Sequence, residues 1–227
     1  MNFDYNEEQQ LLADSVRRFL QKDYDFEARK KTVASKDGWS PQAWSTLAEM
    51  GLTGLPFSPD HGGFGGGAID LMGVMEAFGE ALVVEPYLAT VFASQLISKS
   101  ANPDQKQKIL PAVVEGKLRL AFAHTEKGAR YRLDHVNATA KKAGGGWTID
   151  GEKSAVLGAP IAEKLVVSAK SADGIGLFLV DASAVQMKSF RTLDEMVAGD
   201  VSFNSSKAIL LKGGTELIEE AIDFACS

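Results

Sequence analysis

The stretch Ala121–Arg132, AFAHTEKGARYR, stands at the point where the character of the chain changes. Before it, apolar residues recur at intervals of three and four, which is the spacing of amphipathic helices. After it, they alternate or form short runs between glycine turns, which is typical of strands in a sandwich or barrel. The pattern predicts an α+β fold, in which an N-terminal all-α helical domain (1–117) precedes an antiparallel β-barrel or sandwich domain (118–211).

Helix start and stop signals divide the first segment. Asn6, Ser40 and Asn102 each have the form of an N-terminal cap, and Pro86 opens a further helix. Together with the apolar periodicity they predict five helices. The last of these has to kink or restart at Pro111, because proline cannot donate a backbone hydrogen bond.

Turn signals divide the second segment. Asp150-Gly151 and Asp173-Gly174 are two-residue hairpin signals between apolar runs. After Gly213-Gly214 the apolar spacing becomes helical again. This change predicts the first helix of a truncated C-terminal helical domain at 212–227.

The bulk composition is that of an ordinary globular protein. Of 227 residues, 45% are hydrophobic and 24% are charged, and the formal net charge is -6. An acidic chain is not attracted to nucleic acid or to an anionic membrane surface, and no apolar run approaches the length of a membrane span. The chain shows no signal peptide, and its one cysteine, Cys226, cannot form an intrachain disulfide. We therefore expect a cytoplasmic protein with no nucleic-acid partner and no membrane span.

Five motifs of the chain resemble those of the acyl-CoA dehydrogenase family. The run that starts at Thr125 occupies the place of the family's T-E-P-x-x-G-S-D motif, and the other four motifs follow at matching spacing. These four are Gly51-Leu52 through Pro56 with His61-Gly62-Gly63, Ile109-Leu110-Pro111 with Gly116, Trp147–Lys153, and Leu165–Lys170. The resemblance covers essentially the whole chain, and it implies an FAD-dependent dehydrogenase that acts on an acyl-CoA thioester.

The resemblance also implies where the chemistry takes place. In the family, a glutamate removes the α-proton of the thioester while a hydride leaves the β-carbon for flavin N5. That glutamate belongs to the C-terminal helices, so the expected base lies beyond Ser227 and no catalytic residue is assigned in this chain. We expect the intact protein to dehydrogenate acyl-CoA and the 227 residues alone to be inactive.

The resemblance implies a set of cofactor-binding residues. Flavin N1 and C2=O gain negative charge on reduction, so backbone N–H groups and a hydroxyl are needed beside them. The backbone of His124 and the hydroxyl of Thr125 would fill this role, whereas the alternative for Thr125 is that it satisfies its own turn. The implied FAD-binding set is Phe122, His124, Thr125, Ala155, Val156 and Leu157.

The second half of the opening stretch departs from the family pattern. Arg130-Tyr131 stands where the family has Gly-Ser, and Arg132 follows. In an extended segment the two arginines would point to the same side, and arginine binds phosphate bidentately. Arg130 and Tyr131 are therefore candidates for binding a phosphate of the cofactor or of CoA. The alternative is a turn with solvated charges.

A second departure follows Lys153. The family has M-W-I-T there, whose Trp covers the flavin and whose Thr hydrogen-bonds N5, whereas this chain has Ser154-Ala155-Val156-Leu157. Because Ala155 cannot stack and Leu157 cannot donate from its side chain, three interpretations stay open. The chain is a divergent dehydrogenase, a non-catalytic partner subunit of a heteromeric acyl-CoA dehydrogenase, or a flavin oxidase or monooxygenase of the same superfamily. In this region it resembles the small subunits of dehydrogenases for dicarboxylyl- or steroid-side-chain CoA esters, of the pimeloyl-CoA dehydrogenase type.

The remaining candidates favour structural interpretations. The HGGFGGG loop at 61–67 lacks the Gly-Lys-Ser/Thr ending of a P-loop and is interpreted as a helix–helix linker. The histidines and the cysteine have no metal-ligand spacing, so no metal is expected. The apolar face of Leu217–Ala225 favours self-association, as a homo-oligomer (dimer or tetramer) or a heterotetramer with a larger subunit. A solvated face or an interface, rather than a catalytic pair, is predicted for Glu76, Glu80 and Glu85.

Overall fold

The computed structural model describes residues 5–226, so residues 1–4 and Ser227, the ends of the first and third predicted segments, lie outside the described residues. The helices are α1 (Glu7–Asp23), α2 (Phe26–Ala34), α3 (Pro41–Glu49), α4 (Ala68–Ala81), α5 (Tyr87–Ser100), α6 (Pro103–Val114) and α7 (Thr215–Cys226). The strands are β1 (Leu120–Ala123), β2 (Thr139–Ala143), β3 (Gly146–Leu157), β4 (Lys164–Ser171), β5 (Gly174–Asp181), β6 (Gln186–Arg191) and β7 (Val197–Leu211). The predicted order of helices, a largely antiparallel sheet and a further helix is confirmed.

Cap residues begin three of the helices where the sequence predicts them. The side chains of Asn6, Ser40 and Asn102 accept hydrogen bonds, at 2.8, 3.1 and 2.9 Å, from the backbone N–H three residues further along. Each bond satisfies one of the donors that the first turn of a helix leaves unpaired. Pro86 directly precedes α5, as predicted.

Two features of the helical part differ from the predictions. Helix α2 is absent from the five predicted helices, because it buries only Arg29 and has no apolar stripe. Its N-cap, Asp25, accepts a hydrogen bond of 2.8 Å from the Ala28 N–H. Of the two outcomes predicted at Pro111, a kink or a restart, the restart does not occur, because helix α6 runs through this residue and ends at Val114.

The strands form one seven-stranded sheet that closes on itself. β3 pairs antiparallel with β2 and β7, and β5 pairs antiparallel with β7 and β4. β2 reaches β4 through the pairing of Thr139 with Lys170, which completes a ring of five strands. β1 runs parallel to Lys164–Val167 of β4, and β6 pairs with β7 outside the ring.

The two hairpin signals have different outcomes. The Asp173-Gly174 signal is confirmed, because β4 and β5 meet there with Ser171 opposite Gly174. The prediction of a hairpin at Asp150-Gly151 is wrong, because both residues lie inside β3, where the pairing with β7 is irregular. A Cβ on Gly151 would lie 2.7 Å from Ala138 Cα, so this glycine allows close approach of two backbones. The turn between β2 and β3 falls at Gly144-Gly145 instead.

The glycine-rich loop at 61–67 connects a short 3-10 turn to α4. A Cβ on Gly63 would lie 2.1 Å from the Phe57 carbonyl oxygen, so only glycine fits at this position. The Gly65 N–H donates to the same oxygen at 2.7 Å, which holds the loop against the preceding segment.

Buried apolar side chains form three groups. One lies among the helices around Leu47 and Val74, and a second fills the closed sheet around Ile149. The third joins α5, α6 and α7 to the outside of the sheet, with Leu110 and Val166 fully enclosed. The domain boundaries after residues 117 and 211 stay predictions.

Between residues 5 and 226, every helix is too short or too polar to cross a membrane.

Candidate functional site

The end of β1 presents Thr125 to the outside of the molecule. Thr125 is exposed, and its hydroxyl makes no hydrogen bond with any other described residue. Its carbonyl accepts a hydrogen bond of 2.8 Å from the Ser154 N–H, which ties the end of β1 to β3. The backbone of Thr125 is therefore held in place while its hydroxyl is available to a ligand.

A fully buried lysine lies directly behind this strand end. The Lys153 ammonium donates to the His124 carbonyl oxygen at 2.9 Å, to Glu126 Oε1 at 2.8 Å and to Ser168 Oγ at 3.0 Å. Three acceptors match the three protons of the ammonium group, which is the condition under which a charge is tolerated in an apolar interior. Burial lowers the pKa of Lys153 to about 8 while the Glu126 carboxylate acts in the opposite direction, so the lysine is charged at neutral pH.

Glu126 completes the ion pair and anchors the loop that follows. Its carboxylate accepts backbone hydrogen bonds from Asn137 at 2.7 Å and from Ala138 at 2.9 Å, in addition to the bond from Lys153. Burial alone would raise the pKa of this carboxyl, but the hydrogen bonds outweigh it and the pKa is lowered. Both ends of the loop between β1 and β2 are thus fixed by one side chain.

His124 belongs to the same buried group. Its Nδ1 lies 2.8 Å from Ser168 Oγ, which also accepts a hydrogen bond from the Lys153 ammonium. Burial and the neighbouring Lys153 charge lower the pKa of His124 to about 4, although Glu126 opposes the shift. The imidazole is therefore neutral at pH 7. Its side chain therefore faces inward, and only its backbone is left for the predicted cofactor contact.

The three predicted residues on β3 lie in an irregular part of the strand. Ala155 is exposed and has a φ of 52°, and its N–H donates to Asp200 Oδ1 at 3.0 Å. The Val156 side chain lies inside the closed sheet, and Leu157 is partly buried. Because Ser154 bonds to Thr125, the structure places Ala155 next to the end of β1. Its N–H, however, is already committed to Asp200.

Arg130 and Tyr131 lie on a loop of successive turns that follows Thr125. Arg130 has a φ of 53° and Tyr131 is 99% exposed, so the segment is not extended and the same-side argument for the two arginines fails. Arg132 forms a bidentate ion pair with Asp134, at 2.8 and 3.0 Å. Arg130 is exposed and its guanidinium makes no hydrogen bond or ion pair with the described residues, so it is the arginine that is available to an anion.

An apolar cavity of about 250 Å³ lies between α4, α5 and α7. Its walls are Ala68, Leu71, Met72, Met75, Glu76, Tyr87, Leu88, Val91, Phe92, Phe224, Ala225 and Cys226. Such a cavity suits a hydrocarbon chain, because its lining is mainly apolar, with Glu76 as its charged member.

Three rings connect this cavity to the end of β1. Phe92 meets the predicted cofactor residue Phe122 edge to face, at 5.3 Å between centroids, and Phe122 stacks on His124 at the same distance. His124 directly precedes Thr125. The apolar cavity thus lies at one end of this row of three rings, and the exposed Thr125 hydroxyl lies at the other end.

The sequence did not indicate Lys153 and Ser168 as members of the site. In the sequence, Lys153 is the last residue of the Trp147–Lys153 motif, and Ser168 lies within the Leu165–Lys170 motif. One signal in the sequence could have indicated them: two of the motifs carry residues of opposite charge, Glu126 and Lys153, which can form an ion pair. No cluster of potential metal ligands occurs in the part of the chain that the structure describes.

The chain belongs to the acyl-CoA dehydrogenase family, since residues 6–117 match its N-terminal domain and residues 121–206 its middle domain. The chain is 30% identical over 141 residues to acyl-CoA dehydrogenase FadE12 of Mycobacterium tuberculosis, a match that covers 61% of this chain and 36% of the relative.

Solved structures agree with this assignment. A variant of the Tcur3481-Tcur3483 steroid ACAD superposes with a TM-score of 0.88 and 28% identity, covering 96% of this chain and 60% of that one. PigA with FAD and proline superposes with a TM-score of 0.86 and 24% identity, covering 99% and 64%, and this likeness shows the fold alone. The chain thus spans about a third of the relative FadE12 and about three fifths of the solved chains.

Proposed function

We propose that the chain forms the FAD-binding and acyl-CoA-binding part of a flavin-dependent acyl-CoA dehydrogenase. The observation that carries the proposal is the Thr125 hydroxyl, which is exposed, has no internal partner and lies at a strand end fixed by a buried lysine. When bound, FAD would supply the acceptor for the hydride that leaves the β-carbon of the acyl group. The residue that removes the α-proton is not assigned in this chain.

The fit of the cofactor rests on Thr125 and its neighbours. The Thr125 hydroxyl would donate a hydrogen bond to the flavin where negative charge develops, and the hydrogen bond to Ser154 holds it there without reorganisation. Ala155 and Leu157 would make apolar contacts, whereas Val156 can contribute only its backbone because its side chain fills the sheet. Phe122 would contribute indirectly, because its ring stacks on His124 and holds it in place.

The acyl group would occupy the cavity between α4, α5 and α7. Each methylene that leaves water for such a cavity contributes about 0.8 kcal/mol, so this contact would supply much of the binding free energy. Arg130, which has no internal partner, would bind a phosphate of FAD or of CoA on the exposed loop.

The proposal is tested by titrating FAD into the 227-residue chain and following flavin fluorescence. We expect saturable binding of one FAD per chain, and a change in the flavin absorption spectrum when an acyl-CoA is added. Riboflavin, which lacks the phosphates, serves as the comparison ligand and should bind more weakly. A chain that is folded by circular dichroism but binds neither FAD nor acyl-CoA would contradict the proposal.

A second candidate is a partner subunit that completes the site of a larger acyl-CoA dehydrogenase subunit. The observation that favours it is at Ala155, whose methyl group cannot cover a flavin and whose N–H is already bonded to Asp200. This candidate predicts that the isolated chain binds no FAD but forms a stable complex with a larger family member, which carries the flavin. Light scattering of the chain alone and of the mixture distinguishes this arrangement from a homo-oligomer.

A further inference from the structure

A second cavity, of about 220 Å³, follows the acyl cavity along helix α4. On this helix, residues between 68 and 76 line the first cavity, and residues between 75 and 82 line the second. Each stretch rises about 10–12 Å at 1.5 Å per residue, so the two cavities lie one after the other along the helix. Phe92, the first ring of the row that leads to Thr125, lines only the first cavity, which is therefore the one next to the proposed flavin site.

Three side chains, Met75, Tyr87 and Leu88, line both cavities and form their common wall. Tyr87 is fixed, because its hydroxyl donates to the Leu52 carbonyl oxygen at 2.9 Å and its ring meets Phe78 edge to face at 5.0 Å between centroids. Met75 is unbranched and only partly buried, so it is a member of the wall that can change its rotamer. The end of an acyl chain that fills the first cavity can therefore continue into the second.

The two acidic residues of the second cavity do not make its interior polar. Glu85 is 2% exposed, its Oε1 accepts a hydrogen bond from the Ser40 N–H at 3.1 Å, and the Tyr24 hydroxyl is a further partner of the carboxyl. Asp194 is exposed to solvent, and its Oδ1 accepts a hydrogen bond from the Met196 N–H at 3.4 Å. The space between them is lined mainly by carbon, which suits a hydrocarbon chain.

Glu85 differs from the other two acidic residues of its stretch. The prediction that Glu85 belongs to a solvated face or an interface with Glu76 and Glu80 is wrong for this residue. Glu85 lies in the connection after α4, in the interior, because the chain turns inward at Leu82, where φ is 51°. Glu76 and Glu80 are exposed, and both pair with Arg17.

Gly79 lies on the wall of the second cavity, four residues after Met75 and on the same face of α4. Its φ is outside the left-handed region, so the backbone conformation does not require glycine. A Cβ at this position would meet nothing within 4 Å, so close packing does not require glycine either. Glycine also weakens a helix relative to alanine. What the missing side chain leaves is open space on the cavity wall.

We propose that the two cavities form one continuous site for a long acyl group and that Gly79 keeps the second cavity open. This inference rests on the proposed acyl-CoA-binding function, and it makes the substrate a CoA ester whose chain is longer than the first cavity holds. Each cavity alone is smaller than the roughly 300 Å³ at which ligand pockets begin, whereas the two together exceed that volume. Each further methylene that leaves water strengthens binding about fourfold, so the second cavity favours the longer chain.

The test compares octanoyl-CoA, as the ester for the first cavity alone, with tetradecanoyl-CoA, as the ester for both cavities. Their affinities for the 227-residue protein are measured by calorimetry, below the concentration at which the longer ester forms micelles. We expect tetradecanoyl-CoA to bind about a hundredfold more tightly, because the added methylenes are buried. Equal affinities for the two esters would overturn the proposal.

Gly79→Leu makes the assignment specific, because it adds a side chain to the wall of the second cavity. It should weaken binding of tetradecanoyl-CoA about tenfold and change binding of octanoyl-CoA less than about twofold. Gly79→Ala, which adds one methyl group, should have a smaller effect in the same direction. Glu219→Leu adds a leucine to the exposed side of α7 and is the matched control, which should leave both affinities unchanged. An equal loss for both esters in Gly79→Leu, or no loss for tetradecanoyl-CoA, would overturn the proposal.

A second variant covers the case in which Gly79→Leu does not fold. Met196 lines only the second of the two cavities and lies on the connection between β6 and β7, opposite α4. Met196→Trp should therefore weaken binding of the longer ester alone. Unchanged binding of tetradecanoyl-CoA in this variant would count against the proposal.

Failure of the proposed function gives a different result. If neither ester binds, the acyl-CoA proposal is wrong, and the cavities are then tested with octanol and tetradecanol by thermal shift. A larger shift with tetradecanol that is lost in Gly79→Leu supports one continuous site for a long chain. Equal shifts with tetradecanol in wild type and Gly79→Leu contradict it.

Discussion

Lys153 Nζ lies 2.8 Å from Glu126 Oε1, and the two side chains are 0% and 5% exposed. They join the end of β1 to β3, directly behind Thr125. Since each charge would be costly to bury alone, the pair is expected to act as a unit.

Lys153→Met should destabilise the chain by about 3–5 kcal/mol, because it leaves the Glu126 carboxylate buried without its cation. The free energy of unfolding from urea titration measures this. The double variant Lys153→Met/Glu126→Gln should be less destabilised than the sum of the two single variants. Lys127→Met, at an exposed lysine, is the control and should stay within about 0.5 kcal/mol. A loss below about 1 kcal/mol in Lys153→Met would show that the pair is unimportant for stability.

His124 should make the chain sensitive to mild acid. Its pKa is lowered from 6.5 to about 4 by burial and by Lys153, so the unfolded chain binds the proton more readily. Stability is therefore lost as the pH falls from 6.5 toward 4, by about 3 kcal/mol from this group. The free energy of unfolding of wild type should fall more steeply over this range than that of His124→Gln, and parallel curves would contradict the assignment.

Glu85 should have the opposite pH dependence. Its pKa is raised by burial, so its contribution to stability is present below the unfolded value of 4.5 and is lost as the pH rises through the folded value. Glu85→Gln should therefore become more stable relative to wild type as the pH rises from 4 toward 7. Glu219→Gln should show no such trend, because it lies on the surface. A Glu85→Gln variant whose free energy of unfolding falls relative to that of wild type as the pH rises would contradict this prediction.

Thr125→Val should weaken FAD binding about tenfold, since it removes one hydrogen bond and keeps the shape of the side chain. Thr125→Ser should retain most of the affinity. Thr139→Val, at an exposed position on β2, tests whether any loss of a surface hydroxyl has the same effect. Equal FAD affinity in Thr125→Val and wild type would remove Thr125 from the cofactor site.

Two glycines should respond to alanine in opposite directions. Gly63→Ala should destabilise the chain by more than about 2 kcal/mol, because its Cβ would meet the Phe57 carbonyl oxygen at 2.1 Å, and backbone cannot easily shift. Gly79→Ala should stabilise α4 by about 0.5–1 kcal/mol, since its Cβ meets nothing within 4 Å and alanine favours the helix. Thermal unfolding of both variants gives the comparison.

The order of helices and strands is predictable from local sequence signals, whereas the positions of the buried polar groups are not. Asn6 and Asn102 cap helices through bonds to residues three positions away, so the pattern is contained in a short segment. Helix α2 escapes prediction because only Arg29 is buried in it, and that contact is made with carbonyl groups far along the chain.

The candidate site shows the same division. Thr125 is singled out by a motif, and it is exposed in the structure as a ligand-facing group must be. The burial of Lys153 depends on acceptors from His124, Glu126 and Ser168, which only the closed sheet brings together. Asp150-Gly151 misleads because a glycine needed for close backbone contact inside a strand has the same local signature as a hairpin turn.

Closure of the sheet also affects the tendency of the protein to aggregate at high concentration. An unpaired strand edge can pair with a strand of another copy, which starts aggregation. A closed ring of five strands leaves few such edges among the described residues. The outer part of β2 and the whole of β6 each pair on one side only, and both are largely exposed. β2 carries Lys141 and Lys142 on this edge, and β6 carries Lys188. Like charges at both edges resist strand-to-strand association between copies, so contacts between copies are expected to use the helices.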